Sequence, residues 1–174
     1  AGEPGQPGDP NTKVNPPLRP EADTTALLAA LQDGTFDCLG TDHAPHAREE
    51  KETTFAAAPF GIVGLETALG LTLKELVGNG ILTLSEAVAR LTVEPVGVLT
   101  GDHLPVEDLG ISWGSLLPGA PADVVVFDPE AKWTVKAEAL HSKSRNTPFL
   151  GWELPGKVLL TLVDGKVVHD GRGG

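Results

Sequence analysis

Methionine and tyrosine are absent from these 174 residues, cysteine occurs once, and aromatic side chains make up only 5% of the chain. A lone Cys38 excludes an internal disulfide, which removes the disulfide-stapled secreted scaffolds and fits a reducing cytoplasm. Cations are also scarce: 13 Lys and Arg stand against 24 Asp and Glu, for a net charge of −11. A phosphate backbone needs clustered basic residues, so nucleic acid is excluded as a partner. No apolar run approaches the roughly 20 residues that cross a bilayer, which excludes membrane insertion. The missing methionine and the Gly/Pro-rich opening AGEPGQPGDPNT predict a piece of a longer polypeptide whose first 12 residues form a loop or a frayed end.

What is present is an ordinary soluble core, with 40% hydrophobic residues and a mean hydropathy near zero. Lys13 to Asn15 reads as a short strand halted by Pro16-Pro17, since proline cannot donate to a sheet ladder. Glu21 to Asp33 reads as a helix that buries Leu27, Leu28 and Leu31 and stops at Gly34. Phe36 to Thr41 is the next strand, with Cys38 as a small buried side chain. This strand, helix, strand order predicts parallel pairing through a right-handed crossover. Ile62, Leu65, Leu69, Leu73 and Leu76 step by three and four residues, which predicts one helix face closed by Gly78-Asn79-Gly80. Thr83-Leu84-Ser85-Glu86 has the spacing of a capping box, so a helix starts there and buries Ala87, Val88 and Leu91. A further helical turn spans Pro95 to Leu99 and ends at Gly101.

From Leu116 the texture changes to turn clusters and β-branched runs. Asp164-Gly165 between two such runs predicts a hairpin, and with it an antiparallel sheet. We place a boundary near Gly114, giving residues 1–114 as alternating strands and helices and 115–174 as a small β unit.

The most informative stretch is Gly40-Thr41-Asp42-His43-Ala44-Pro45-His46, directly after the apolar run that ends at Leu39. A buried strand that ends in a carboxylate and breaks into a loop with two imidazoles is how a parallel barrel presents a metal-assisted catalytic group. Asp42 is thus the predicted chemical centre. Around it stand KVNPPLR from Lys13 to Arg19, the EEK of Glu49 to Lys51, and FGIVGLETAL from Phe60 to Leu69. This ordered set resembles the C-terminal half of bacterial class I dihydroorotases, members of the amidohydrolase superfamily, and the resemblance covers essentially the whole chain.

The resemblance implies an α/β fold: the C-terminal part of a metal-dependent TIM-type barrel followed by a small β-sandwich subdomain, whose other strands come from elsewhere in the protein. A complete barrel needs about 250 residues, more than this chain has. The activity implied is zinc-dependent and reversible, the closure of N-carbamoyl-L-aspartate to dihydroorotate in pyrimidine synthesis. By the same resemblance Asp42 is both a metal ligand and the general acid/base that carries a proton from the attacking hydroxide to the amide nitrogen. Asn15 and His46 hold the substrate carboxylate, and the backbone at Phe60 and Gly61 faces the pyrimidine ring. Two zinc ions per complete site are implied, with the remaining ligands outside this chain, because one carboxylate cannot hold a catalytic zinc. The implied partners are the small-molecule substrate and either a second copy or aspartate transcarbamoylase. Two rival readings share these residues. One is another cyclic amidohydrolase, such as an allantoinase or hydantoinase; the other is a non-catalytic homologue that serves aspartate transcarbamoylase as a structural partner.

The remaining polar residues are assigned structural or no roles. His43 orients the strand end, Arg19 pairs with a surface carboxylate, and Glu49-Glu50-Lys51-Glu52 is a solvated loop or helix start. His103, His141 and His169 lack ligand spacing.

Overall fold

Proline, glycine and a side-chain cap set the limits of several helices among the described residues. The structure is a computed structural model that describes residues 8–100 and 113–173. Helix α1, Glu21–Gln32, starts after Pro20 with Glu21 and Asp23 in its first turn, where negative charge favours the helix dipole. It ends at Asp33, after which Gly34 takes φ 82°, a left-handed angle that glycine adopts without a Cβ penalty. Leu31 is buried as expected and Leu28 is half-buried, but Leu27 is 48% exposed. The cluster that Leu31 joins, with Leu82 and Ala87, is a narrow strip and does not reach Leu27.

Neither expected strand forms among the described residues. Lys13 to Asn15 and residues 36–41 carry no ladder, so the parallel pairing expected between them does not form; one isolated parallel bridge joins other residues, His43 and Ile62. A strand exists only through a partner's hydrogen bonds. Residues 36–41 instead lean on a helix: Leu39 N donates to Arg90 O at 3.0 Å, and Arg90 Nη1 donates to Asp37 O at 2.9 Å. Leu39 packs on the Leu31 cluster, while Cys38 is half-buried rather than buried.

After the short helix α2, Arg48–Lys51, the predicted long helical face is divided. Ile62 belongs to the parallel bridge and Leu65 is exposed. Helix α3, Ala68–Leu71, then widens into a π-helical turn, Thr72–Val77, in which Gly78 N bonds to Leu73 O at 2.8 Å. Leu73 is buried, with Leu69 and Leu76 half-buried, and Gly80 at φ 69° closes the segment. Spacing by three and four residues cannot tell a bridge and a turn from the first turns of a helix.

Helix α4, Leu84–Leu91, begins at the predicted capping box. Glu86 N donates to Thr83 Oγ1 at 3.3 Å, and Thr83 N donates to Glu86 Oε2 at 2.7 Å. Ala87 is buried beneath it, flanked by half-buried Val88 and Leu91. Helix α5, Val93–Thr100, covers the expected turn at Pro95. Its predicted stop at Gly101, and His103, lie outside the described residues.

The β elements are antiparallel, as predicted. Strands β1, Val124–Asp128, β4, Lys157–Val163, and β5, Lys166–Asp170, form a sheet in the order β1-β4-β5; β2, Trp133–Thr134, pairs with β3, Glu153–Leu154. Asp164 at φ 50° and Gly165 at φ 73° make the β4-β5 turn, both in the left-handed region that a primed two-residue hairpin requires. The short β2–β3 pair lies against α3. Buried Val135, Leu140 and Leu154 pack with Leu71 of α3, and Gly70 lies so close to β3 that an added Cβ would sit 2.9 Å from that of Leu154.

The opening segment is anchored rather than loose from residue 9 onward. Buried Asp9 caps a 3-10 turn, Pro10–Thr12, by accepting from Asn11 N at 2.9 Å. Residues 1–7 lie outside the described residues.

Candidate active site

The loop after Thr41 is fixed from three directions. His43 Nδ1 accepts from Gly64 N at 3.1 Å and from Leu65 N at 3.3 Å, so this atom is an acceptor and a neutral ring carries its proton on Nε2. That is the orienting role expected of His43. Beside it, Ala44 N donates to Ile62 O at 2.9 Å. His46 reaches the next segment: its Nε2 lies 2.9 Å from Phe60 O, and because a carbonyl only accepts, Nε2 is the donor. Its Nδ1 faces Glu50 Oε2 at 3.6 Å.

His46, Phe60 and Gly61 are therefore in contact. Gly61 has φ 122°, and a Cβ there would lie 2.6 Å from Ala44 Cβ and 3.1 Å from His46 Nε2. Only glycine allows the two segments this approach. Gly61 N also donates to Lys13 O at 2.9 Å, which draws the segment carrying Asn15 to the same place. Lys13 Nζ sits 4.7 Å above the Phe60 ring, an arrangement that places charge on the electron-rich face of an aromatic that is 56% exposed. Asn15 is exposed, at the cis peptide before Pro16.

Asp42 immediately precedes His43 in the same loop. It is exposed, at φ 43°, a left-handed conformation that Asp adopts more readily than most residues. Among the described residues its carboxylate makes no hydrogen bond or ion pair, and no three His, Cys, Asp or Glu side chains are grouped to hold a metal. Four-coordinate zinc takes at least three protein ligands, so these residues alone do not fit a zinc ion. Asp42 offers one ligand.

Two residues of this region escaped the sequence reading. Lys51, expected in a solvated run, is 6% exposed, and its Nζ donates to Pro10 O at 3.1 Å and to Pro59 O at 2.8 Å. Burial lowers its pKa, the neighbouring Lys13 lowers it further, and Asp9 offsets part of the effect. Asn146, 4% exposed, donates through Nδ2 to Ala44 O at 2.9 Å and to Gly61 O at 3.2 Å, and accepts from His46 N at 3.2 Å. Its backbone carbonyl takes Val63 N at 3.0 Å. The only sequence signal for it is a polar residue inside the run SRNTPF, which has no periodicity to read.

The other assignments resolve simply. Arg19 pairs with surface Asp23 at 2.6 Å, as expected. His141, given no role, donates its backbone N to Glu66 Oε2 at 2.8 Å and lies edge-on to His169, ring centroids 6.4 Å apart. A cavity of about 670 Å³ lies behind His46, lined also by Lys51, Lys143, Arg145 and Asn146. A second, largely apolar cavity of about 530 Å³ opens beside Thr41, Ile62, Phe149 and Trp152. Asp42, Asn15, Phe60 and Gly61 line neither.

Residues 13–168 match the model of the amidohydrolase family. The chain is 50% identical over 161 residues to a dihydroorotase of Geobacter metallireducens, covering 92% of this chain and 35% of that protein. It is 44% identical over 162 residues to a dihydroorotase of Clostridium acetobutylicum, covering 93% and 36%. Among solved structures it superposes on an L-hydantoinase (dihydropyrimidinase) from Arthrobacter aurescens with a TM-score of 0.78 and 32% identity, over 92% of this chain and 35% of that one. A D-hydantoinase (dihydropyrimidinase) from a Thermus species gives 0.76 and 29%. The chain spans about a third of the length of these relatives.

Proposed function

Since the chain belongs to the amidohydrolase family, as part of a TIM-type barrel with a small β subdomain, we propose that the complete protein is a dihydroorotase. It would interconvert N-carbamoyl-L-aspartate and dihydroorotate in the cytoplasm as a step of pyrimidine synthesis. The observation that carries this reading is the contact of His46 with Phe60 and Gly61, with the Lys13 to Asn15 segment bonded to Gly61. Three separate motifs thereby meet at Gly61.

In hydrolysis a water oxygen bonds to the ring carbonyl carbon, the carbon–nitrogen bond breaks, and the water's proton ends on the departing nitrogen. Asp42 is the proposed proton carrier, exposed and unengaged where a substrate can reach it. Asn15 and His46 are the proposed holders of the substrate carboxylate; with His46 Nε2 donating to Phe60 O, the ring atom left is Nδ1, which now faces Glu50 and donates to a carboxylate only from the doubly protonated ring. The backbone of Phe60 and Gly61 would lie along the ring of the substrate, where the missing Cβ leaves room. A divalent metal, held by Asp42 together with ligands from the rest of the protein, would supply Lewis-acid chemistry there. We assign two zinc ions to the complete site, with Asp42 as the one ligand from this chain. The two-unit division at residues 114 and 115, and assembly with a second copy or with aspartate transcarbamoylase, belong to the same proposal.

KVNPPLR favours dihydroorotase over a hydantoinase, and the dihydroorotase relatives are closer in sequence, at 44–50%, than the hydantoinase structures, at 25–32%. The test is to purify the complete, zinc-loaded protein and compare turnover of dihydroorotate, dihydrouracil, hydantoin and allantoin. Dihydroorotate is the expected substrate. Preference for an uncarboxylated ring would move the assignment to another cyclic amidohydrolase, and no turnover of any of the four would favour the non-catalytic partner.

A further inference from the structure

We infer that Asn146 is a positioning residue for the proposed reaction: it fixes the spacing between the loop that carries Asp42 and His46 and the Phe60-Gly61 segment. The inference rests on the dihydroorotase reading for its kinetic consequences, and on geometry alone for the clamp.

A primary amide has two N–H donors and a carbonyl that accepts. Asn146 spends both kinds on the two segments: Nδ2 on Ala44 O at 2.9 Å and Gly61 O at 3.2 Å, Oδ1 on His46 N at 3.2 Å. Its own carbonyl adds Val63 N at 3.0 Å. Four bonds from one residue thus reach both sides of the His46–Phe60 contact, from a point 100 positions along the chain from His46.

Neither segment is otherwise held by a regular ladder. One isolated bridge, His43 to Ile62, with its bond from Ala44 N to Ile62 O at 2.9 Å, joins them through the backbone. Asn146 therefore replaces the sheet hydrogen bonds that would set the distance in a regular strand pair. It is 4% exposed, and Thr147 beside it is fully buried, so the amide is held by its surroundings.

The substitutions that separate roles follow from the donor count. Asn146→Asp keeps the size and the acceptor for His46 N, but loses both donors and sets a carboxylate against Ala44 O and Gly61 O. Asn146→Ala removes all three side-chain bonds. Asn146 touches no reacting atom in this reading; it acts through His46 and Gly61. Loosening the carboxylate-holding side weakens substrate capture more than it slows the proton transfer.

The experiment uses the complete protein. In Asn146→Ala and Asn146→Asp, KM for dihydroorotate is expected to rise by about tenfold or more, with a smaller fall in kcat. A purely structural role would instead reduce the fraction of active enzyme, lowering kcat at unchanged KM, and that result would overturn the inference. His46→Ala closes a double-mutant cycle: if Asn146 works through His46, adding Asn146→Ala to His46→Ala raises KM little further, whereas full additivity counts against it. Amide hydrogen exchange supplies a readout independent of turnover. The His46 N–H, bonded to the Asn146 side chain, is expected to exchange faster in Asn146→Ala than in the parent; unchanged exchange overturns the clamp. Should the parent protein fail to turn over dihydroorotate while its His46 amide still responds, the functional reading falls and the clamp stands.

Discussion

Glu66 Oε2 accepts two hydrogen bonds from His141, one from its backbone N at 2.8 Å and one from its ring Nδ1 at 3.2 Å. Glu66 Oε1 takes Ser142 N at 2.9 Å. A carboxylate just ahead of α3 thereby secures the chain that leads to Asn146 and Thr147. Burial opposes the charge on Glu66, but the two backbone N–H bonds, together with the His141 side chain, outweigh it and hold the pKa below the ordinary glutamate range.

This gives a pH dependence with a definite sign. The folded pKa lies below the unfolded value, so the stabilisation is fully present above the unfolded pKa, near 4.5, and is lost as the pH falls through the folded one. Thermal melts of the parent and Glu66→Gln are expected to differ at neutral pH and to converge in acid. Glu66→Gln should cost about 1–2 kcal/mol at neutral pH, a modest value because the His141 side chain is 83% exposed and water can replace part of what is lost. A difference that persists unchanged into acid would refute the assignment.

Asp42→Ala in the complete protein is expected to abolish turnover of dihydroorotate, while Asn15→Ala mainly raises KM for the carboxylated substrate. Steady-state kinetics of both variants check this. Normal turnover by Asp42→Ala would remove the proton-carrying role.

Gly61→Ala is expected to be severe. The new methyl group would lie 2.6 Å from Ala44 Cβ, at a φ of 122° that alanine rarely adopts. Strain and overpacking together should cost more than about 2 kcal/mol and part His46 from Phe60. Denaturant unfolding measures the first, and a loss of affinity for dihydroorotate reports the second.

Lys51→Met keeps much of the side-chain volume and removes the ammonium bonded to Pro10 O and Pro59 O. Loss of these charged hydrogen bonds is expected to cost about 2 kcal/mol. Because Lys51 ties the Pro10 turn to the residue before Phe60, proteolysis should cut the opening segment of the variant sooner than that of the parent. An unchanged cleavage rate would show that the segment is held by other contacts.

Local signals in the sequence are local in cause, and those came through. The Thr83–Glu86 box, the glycine stops at Gly34 and Gly80, and the Asp164-Gly165 hairpin each depend on a few adjacent residues, and each formed where the spacing put it. The strands at 13–15 and 36–41 did not, because a strand is defined by a neighbour that periodicity cannot supply. Lys51 and Asn146 failed to stand out for a related reason. Their importance comes from carbonyl and amide groups 8 to 102 positions away, and nothing in the flanking residues marks either as buried.

The amino-acid order by itself carried the resemblance to the family, and its spacing and short motifs determined the antiparallel β part and the helix limits at Gly34, Gly80 and Thr83. Tertiary structure alone decided which of those side chains meet. His46, Phe60 and Gly61 converge because a glycine without a Cβ permits the approach and a buried amide far along the chain satisfies the backbone groups on both sides. Hydrogen-bond satisfaction in a buried place is a property of three-dimensional surroundings, and no local pattern encodes it.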